Sequence, residues 1–577
     1  MILQALTAYY ETLSARGEAP AYGWGYAKVS FALCINQNGA LEQVVSVKTE
    51  QQRGKKLELV PQNMLLPAQV KRANGIAANF LCDNASYFLG VDNKGKPERA
   101  LQCFAACKEL HETILKDVDT PAAHAVLAFF RCWKPEEAAD HPALAECLED
   151  ALAGANFVFR CAGDGPQDDP QIRKAWETHY SAVDGAPEMA CLVTGAVGPV
   201  ESIHPVIKNV HGAQSMGAAL VSFNAPAYCS YGKEQNLNAP TSKYAAFAYT
   251  TALNHLLDDR EHVWRLGNTT VVCWAQNGGN AYQNLMGWIG FGGTAPYSFD
   301  DLQSVVARLC QGEAVQFEEE LLDPQMEFYI LGLSPNAARL SVRFFLRNTF
   351  GAFLTNTQAH QQRLEIVRPA YDNFETIPLW KLLEETVNQN ARDKTPSPEL
   401  AGEVARAVLN NTPYPVTLLN SVMLRIRAEH KVTRGRAAIL KAYYLKNSHT
   451  AVPKEVLTVA LNTQSTNIPY NLGRVFSVLE AIQSAANPGI NTTIRDRYFN
   501  AASATPAHVF PVLVNLAQKH LKKMDGGKQA YYIKQLVELM DKLGENYPAR
   551  LNLPQQGAFQ LGYYQQTQAR FEKKEEK

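Results

Sequence analysis

The chain has 577 residues, enough for about three to five domains at roughly 100–200 residues each. Hydrophobic residues make up 46% and charged residues 19%, and apolar content this high offsets chain entropy, so disorder over most of the length is excluded. The 55 basic and 56 acidic residues leave a net charge of −1, which as an average argues against a nucleic-acid binder, a class that usually carries a basic excess.

The first stretch, MILQALTAYYETLSARGE, has no basic run ahead of an apolar one and reads as an amphipathic helix, not a secretory signal. Residues 28–60 alternate apolar and polar positions around a turn at Asn38-Gly39, which predicts strands. NFLCDNASYFLGVDNKGKP is a second strand-and-turn segment. Residues 99–118, 121–132 and 142–153 place apolar side chains at spacings of three and four and predict helices. NFVFRC (156–161) and MACLVT (189–194) predict strands. SKYAAFAYTTALNHLLDD (242–259) predicts a helix with Ser242 as its N-cap. NTTVVCWA (268–275) and RLSVRFFLRNTFG (339–351) predict further strands. From 376 onward short amphipathic helices follow one another between Pro and Gly residues, from PLWKLLEETV to QAYYIKQLVELMDKL. The fold class is α+β: a mixed α/β body over 1–375, a helical connecting region over 376–452 and a basic helical bundle over 453–577, with the FEKKEEK tail expected to fray.

All eleven cysteines precede residue 311, and none forms a Cys-x-x-Cys pair. That pattern predicts buried free thiols in a reducing compartment and no metal site. No run approaches 18 consecutive apolar residues, so no membrane span and a cytoplasmic location are expected. The catalytic patterns fail one by one. GVDNKGKP (Gly90 to Pro97) has phosphate-loop spacing, but Pro97 replaces the hydroxyl residue that would hold magnesium, and the segment reads as a hairpin turn. GAQSMG (Gly212 to Gly217) has the wrong spacing for a nucleophile elbow, and no H-E-x-x-H occurs. Asp258, Asp259 and Glu261 read as a solvated helix end. Carboxylates from distant segments can still meet on folding, so a metal-dependent nuclease or hydrolase stays open as the enzyme alternative. No cofactor is called for.

The charge average conceals an asymmetry. Residues 421–577 hold 22 basic and 11 acidic residues, a net of +11, whereas 1–420 hold 33 and 45, a net of −12. The stretch 101–200 alone is −9, with 7 basic and 16 acidic residues. Two segments are dense in amides and hydroxyls. AQVKRANGIAANFLCDNASYFLG (68–90) carries Lys71, Arg72, Asn74, Asn79 and Asn84. The stretch 211–250 carries Gln214, Ser215, Asn224, Tyr228, Tyr231, Lys233, Gln235, Asn236 and Asn238 among glycines and prolines. Such groups suit base edges and phosphates, and they equally suit polar loops whose amides close turns.

These residues carry a resemblance. VKRANGIAANFLCDNASYFLG, GAQSMGAALVSFNAPAYCSYGKEQNLNAPTSKYAAFAYTTALNHLL and TVVCWA resemble the large subunit of the subtype I-C CRISPR surveillance complex (Cascade), and the likeness extends through the helical C-terminal third. The resemblance implies a non-catalytic subunit of an RNA-guided ribonucleoprotein complex for antiviral defence. Such a subunit recognises a protospacer-adjacent motif (PAM) in target double-stranded DNA, assists duplex opening and R-loop formation, holds the displaced strand and recruits a separate helicase–nuclease; a purely structural scaffold is a further alternative. Implied partners are guide RNA (crRNA) with the backbone and crRNA-processing subunits, and a free small subunit made by internal translation of the C-terminal region, for which Met423 is a candidate start. Lys71, Arg72, Asn74, Asn79 and Gln214, supported by Lys233, Gln235 and Asn236, are expected at the PAM duplex. Arg425, Arg427, Lys431, Arg434 and Arg436, with Lys519, Lys522, Lys523 and Lys528, are expected along the displaced strand, unless they are solvated helix faces. The acidic stretch 101–200 is expected to face away from DNA, toward solvent or the helicase–nuclease.

Overall fold

The computed structural model describes every residue except 54–55, 71, 73–74, 93–94, 183–186, 448–450 and 572–577. The chain divides into two compact units, residues 3–205 with 222–252 and residues 206–221 with 253–577. It is mixed α and β, and helical from about residue 350 on, as the α+β reading expects. Among the described residues no helix is long and apolar enough to cross a membrane.

The first unit is built on a four-stranded sheet ordered Leu41–Ser46, Phe31–Ile35, Asn156–Cys161, Cys82–Asn84. Phe31–Ile35 pairs antiparallel with Leu41–Ser46 and parallel with Asn156–Cys161. Side chains alternate across the sheet, as the period of two demands. Phe31, Leu33, Phe157 and Phe159 share one core with helices Pro97–Leu115 and Pro121–Cys132. Ala32 and Val158 join Val29 and Leu66 of the antiparallel ribbon Trp24–Val29/Gln62–Pro67 on the opposite face. The Asn38-Gly39 turn forms as predicted: the Asn36 side chain accepts the N–H groups of Asn38 and Ala40. Gly39 has φ +79°, and a Cβ there would lie 2.2 Å from the Phe129 backbone nitrogen, so only glycine fits.

Three local expectations are corrected. Residues 142–153 form a 3-10 turn, Pro142–Leu144, and a five-residue helix, Leu148–Leu152, because the His141 ring caps Ala143 N–H and tightens the turn. The strand over 189–194 shortens to Glu188–Ala190, since the chain then turns about the Cys191 sulfur. GVDNKGKP is not a hairpin. It connects helix Ala85–Phe88 to helix Pro97–Leu115, with the Asp92 carboxylate accepting Lys96 N–H, and its residues 93–94 lie outside the described residues. All eleven cysteines are free; six are buried, but Cys132 is exposed.

The second unit holds an antiparallel sheet ordered Trp264–Leu266, Thr269–Ala275, Glu327–Asn336, Arg339–Thr349. Every residue of Thr269–Ala275 is buried, which explains why TVVCWA reads as an unbroken apolar run. The sheet and the later helices share one apolar core, running from Leu266 to Tyr564. Within it, helix Ile468–Ala486 packs closely against helix Leu553–Ala569. A Cβ at Gly473 would fall 1.9 Å from Phe559 O, and one at Gly562 would fall 2.1 Å from Tyr470 O. The two glycines therefore set the approach of these helices.

Candidate nucleic-acid interface

The 68–90 segment is organised by one carboxylate. Asp83, on the short edge strand Cys82–Asn84, is 1% exposed. It accepts from Arg72 Nη1 at 2.9 Å and from Arg72 Nη2, and from the backbone N–H groups of Asn79 and Asn84 at 2.9 and 2.8 Å. Arg72 Nε donates to Ala77 O at 2.6 Å, and the guanidinium lies 3.8 Å from the centroid of the Tyr87 ring. The Tyr87 hydroxyl accepts Ala77 N–H, and Asn79 Oδ1 accepts Val70 N–H at 2.8 Å. Burial opposes the Arg72 charge, but the Asp83 carboxylate beside it outweighs burial and holds the guanidinium above its ordinary pKa.

Arg72 and Asn79 are thus brought together, but as internal ties. Asn79 is buried, and its side chain closes the chain between Val70 and Asn79. Both are expected at the DNA; here Asn79 is buried, and the polar groups of both hold the segment around Asp83, with the Arg72 side chain 22% exposed. Lys71 and Asn74 lie outside the described residues. Asp83 and Tyr87 are not among the residues that sequence reasoning picks out; the available signal is an acidic residue inside the apolar run NFLCDNASYF. Beside the brace opens a cleft of about 320 Å³ that Arg72, Asn84, Tyr87, Asp92, Lys96 and Arg99 help to line.

The other polar segment is divided between the units. Gln214 belongs to the second unit and is exposed. Its loop is tied down by Thr270 Oγ1, which accepts His211 N–H, and by backbone bonds between Ala219 and residues 338 and 340. Lys233, Gln235 and Asn236 belong to the first unit. There the Asn238 side chain accepts Ser230 N–H at 2.8 Å and donates to Lys233 O and Gln235 O at 3.1 and 2.9 Å. Gln235 is exposed and Lys233 half-buried, but Asn236 is 3% exposed and its backbone N–H donates to Ser202 O. Asn236 therefore anchors the loop, a correction to its expected place at the surface.

The loop runs into helix Lys243–Asp258, whose start is held by a thiol. Cys191 Sγ accepts Ser242 N–H at 3.2 Å, Val193 N–H at 3.4 Å and Thr194 N–H at 3.5 Å. Burial pushes this thiol up, yet the bonds from Ser242 and Thr194 outweigh it and lower the pKa to about 7.

The two basic clusters differ. Arg436 is 1% exposed and pairs with Glu429 at 2.5 Å and Glu385 at 3.2 Å. Arg434 pairs with Asp372 at 3.1 Å and donates to Phe374 O and Glu375 O. Arg425 lies 3.8 Å from Glu429, and Arg427 donates to Gln556 Oε1 at 2.8 Å. Lys431 is exposed. The expected cationic surface at 425–436 is therefore corrected to an internal ion-pair network with Lys431 and Arg427 at its exposed edge. Lys519, Lys522 and Lys523, at the end of helix Pro506–Leu521, are exposed. Lys528 is also exposed and lies 3.3 Å from Asp525.

The acidic cluster is engaged locally. Asp258 accepts from Asn209, and Asp259 meets His262 Nδ1 at 2.5 Å. Among the described residues no group of three or more His, Cys, Asp or Glu side chains is placed to hold a metal ion. A family model described as CRISPR-associated protein (Cas_Csd1) matches residues 6–571. No curated protein matches the chain.

Proposed function

The chain belongs to the CRISPR-associated Csd1 family, the large subunit of type I-C Cascade, and from that premise we propose that it recognises the PAM in duplex DNA, assists opening of the duplex and holds the displaced strand. The family match along 6–571 carries this reading. The Arg72–Asp83 brace and the exposed Lys519, Lys522 and Lys523 support it. Sequence discrimination rests with base pairing to guide RNA, so the protein needs only a few base-edge contacts and backbone electrostatics. The chain acts by binding, in the cytoplasm, and strand cleavage stays with the helicase–nuclease it recruits.

The test is binding of the assembled, guide-loaded complex to duplexes with intact and scrambled PAM. Preference for the intact motif, without cleavage by the complex alone in divalent metal, supports the reading. Equal affinity for both duplexes overturns PAM recognition, and metal-dependent cleavage by the purified chain overturns the non-catalytic assignment.

A further inference from the structure

Tyr231 is 98% exposed, in a loop where its neighbour Tyr228 is also half exposed. Its backbone is as unusual as its side chain. Lys233 N–H donates to Ser230 O at 3.0 Å, closing a turn with Tyr231 and Gly232 at its centre. Both have positive φ, +55° and +68°, the pattern of a type I′ turn. The first central position of such a turn favours Asn, Asp or Gly. A bulky side chain there is strained, and this one buries no apolar surface in return. The turn is nevertheless fixed. Asn238 clamps Ser230, Lys233 and Gln235 through three hydrogen bonds, and buried Asn236 anchors the loop on Ser202 O. Strain held in place by its surroundings, with an aromatic ring projected into solvent, is a pre-organised arrangement for a ligand.

The neighbours indicate which ligand. Lys233 stands two residues from Tyr231, and Ser230, Gln235 and Asn224 of the same stretch are polar. An aromatic face beside a cation in a polar loop suits a nucleobase and its phosphate. We propose that the Tyr231 ring is a stacking platform for an unpaired nucleobase of the opened DNA, with Lys233 facing the adjoining phosphate; this rests on the DNA-opening function proposed above.

The experiment places 2-aminopurine at successive positions on each strand, starting from the PAM edge, in duplexes bound by the assembled complex. The wild-type complex is expected to quench one position strongly. Tyr231→Gly keeps the backbone conformation and removes the ring; it and Tyr231→Ala should abolish that quench and weaken the opened state by about 5- to 150-fold, the loss expected for one base–aromatic stack. Tyr231→Phe and Tyr231→Trp should retain both. An unchanged quench in Tyr231→Gly and Tyr231→Ala overturns the proposal. So does weakened capture of the helicase–nuclease with DNA opening untouched, which would make Tyr231 a protein contact. PAM preference, measured on the same complexes, separates the two readings: its absence in the wild type overturns PAM recognition, whereas the quench alone decides stacking.

Discussion

Two basic stretches of the second unit look alike in sequence and differ in structure. Residues 425–436 span the end of helix Val416–Glu429 and the start of helix Arg434–Asn447, and carboxylates from Asp372, Glu385 and Glu429 converge on them. Residues 519–528 also span a helix end and the next helix start, yet the only carboxylate paired there is Asp525, among the described residues. The first stretch is therefore an internal brace and the second a solvated cationic row. Local charge density does not separate these cases. Acidic partners tens of residues upstream decide which cations are consumed in holding the fold and which remain for a polyanion.

The sharpest way to break this comparison is at Arg436. Removing one member of a buried ion pair leaves the other charge uncompensated, and the loss is about 3–5 kcal/mol. Arg436→Ala is expected to lower the melting midpoint of the second unit strongly, as followed by calorimetry or by hydrogen exchange in helix Arg434–Asn447. A midpoint equal to wild type would mean that the network is dispensable and that the two stretches differ only in exposure.

Asp83 extends the comparison to the first unit, where a single carboxylate takes an arginine out of service. Asp83→Ala leaves the N–H groups of Asn79 and Asn84 and the Arg72 guanidinium without their acceptor. The expected loss is about 1–3 kcal/mol, smaller than at Arg436 because the Arg72 side chain is 22% exposed and can rehydrate. Accelerated amide exchange at Asn79 and Asn84, with the rest of the sheet unaffected, is the expected signature. Unchanged exchange would show that Val70 and Asn79 hold the loop without the carboxylate.

These residues show what sequence conveys and what it withholds. The strands at 28–60, 156–161 and 268–275 are legible because apolar alternation or a continuous β-branched run is a local signal. Glu327–Asn336, paired on both sides in the second sheet and buried over its middle, is not among the predicted strands. Its FYILGL core is a short apolar run without alternation, which periodicity alone cannot distinguish from a buried helix segment. At the candidate site the amide-rich segments are visible in the sequence, but the roles within them are not. Asn79 and Asn236 carry the same side chain as exposed readers would, and only their burial, with Val70 N–H bound to the Asn79 side chain, shows that they face inward. Tyr231 is visible as one polar aromatic among many; its strained turn exists only in three dimensions.

The exposed row gives the complementary outcome. Replacing Lys519, Lys522 and Lys523 together by Ala should change stability by no more than about 0.5 kcal/mol, as for most surface substitutions. Every lysine–phosphate pairing removed should reduce the salt slope of single-stranded DNA binding by about 0.7, so the triple variant should flatten it by about 2. An unchanged slope measured between low and physiological salt would make these lysines a solvated helix end, no more functional than the buried stretch.

The last expected effect depends on pH and concerns a charge stabilised by neither carboxylate nor solvent. Cys191 is held by Ser242 N–H at the start of helix Lys243–Asp258 and by Thr194 N–H of its own turn, and its pKa falls from the ordinary 9.0 to about 7. An acid whose folded pKa is depressed adds stability that is fully present above its unfolded pKa and is lost as pH falls through the folded value. Comparing wild type with Cys191→Ala should therefore show a stability gap that is largest near pH 9, shrinks between pH 9 and 7 and levels off below pH 7. Amide exchange at Thr194 and Ser242 reports it locally, with protection in the wild type decaying over the same window. A gap independent of pH would mean that the sulfur merely fills space. The thiolate would then drop out of the comparison, leaving side-chain carboxylates as the groups that decide which charges this fold keeps inside.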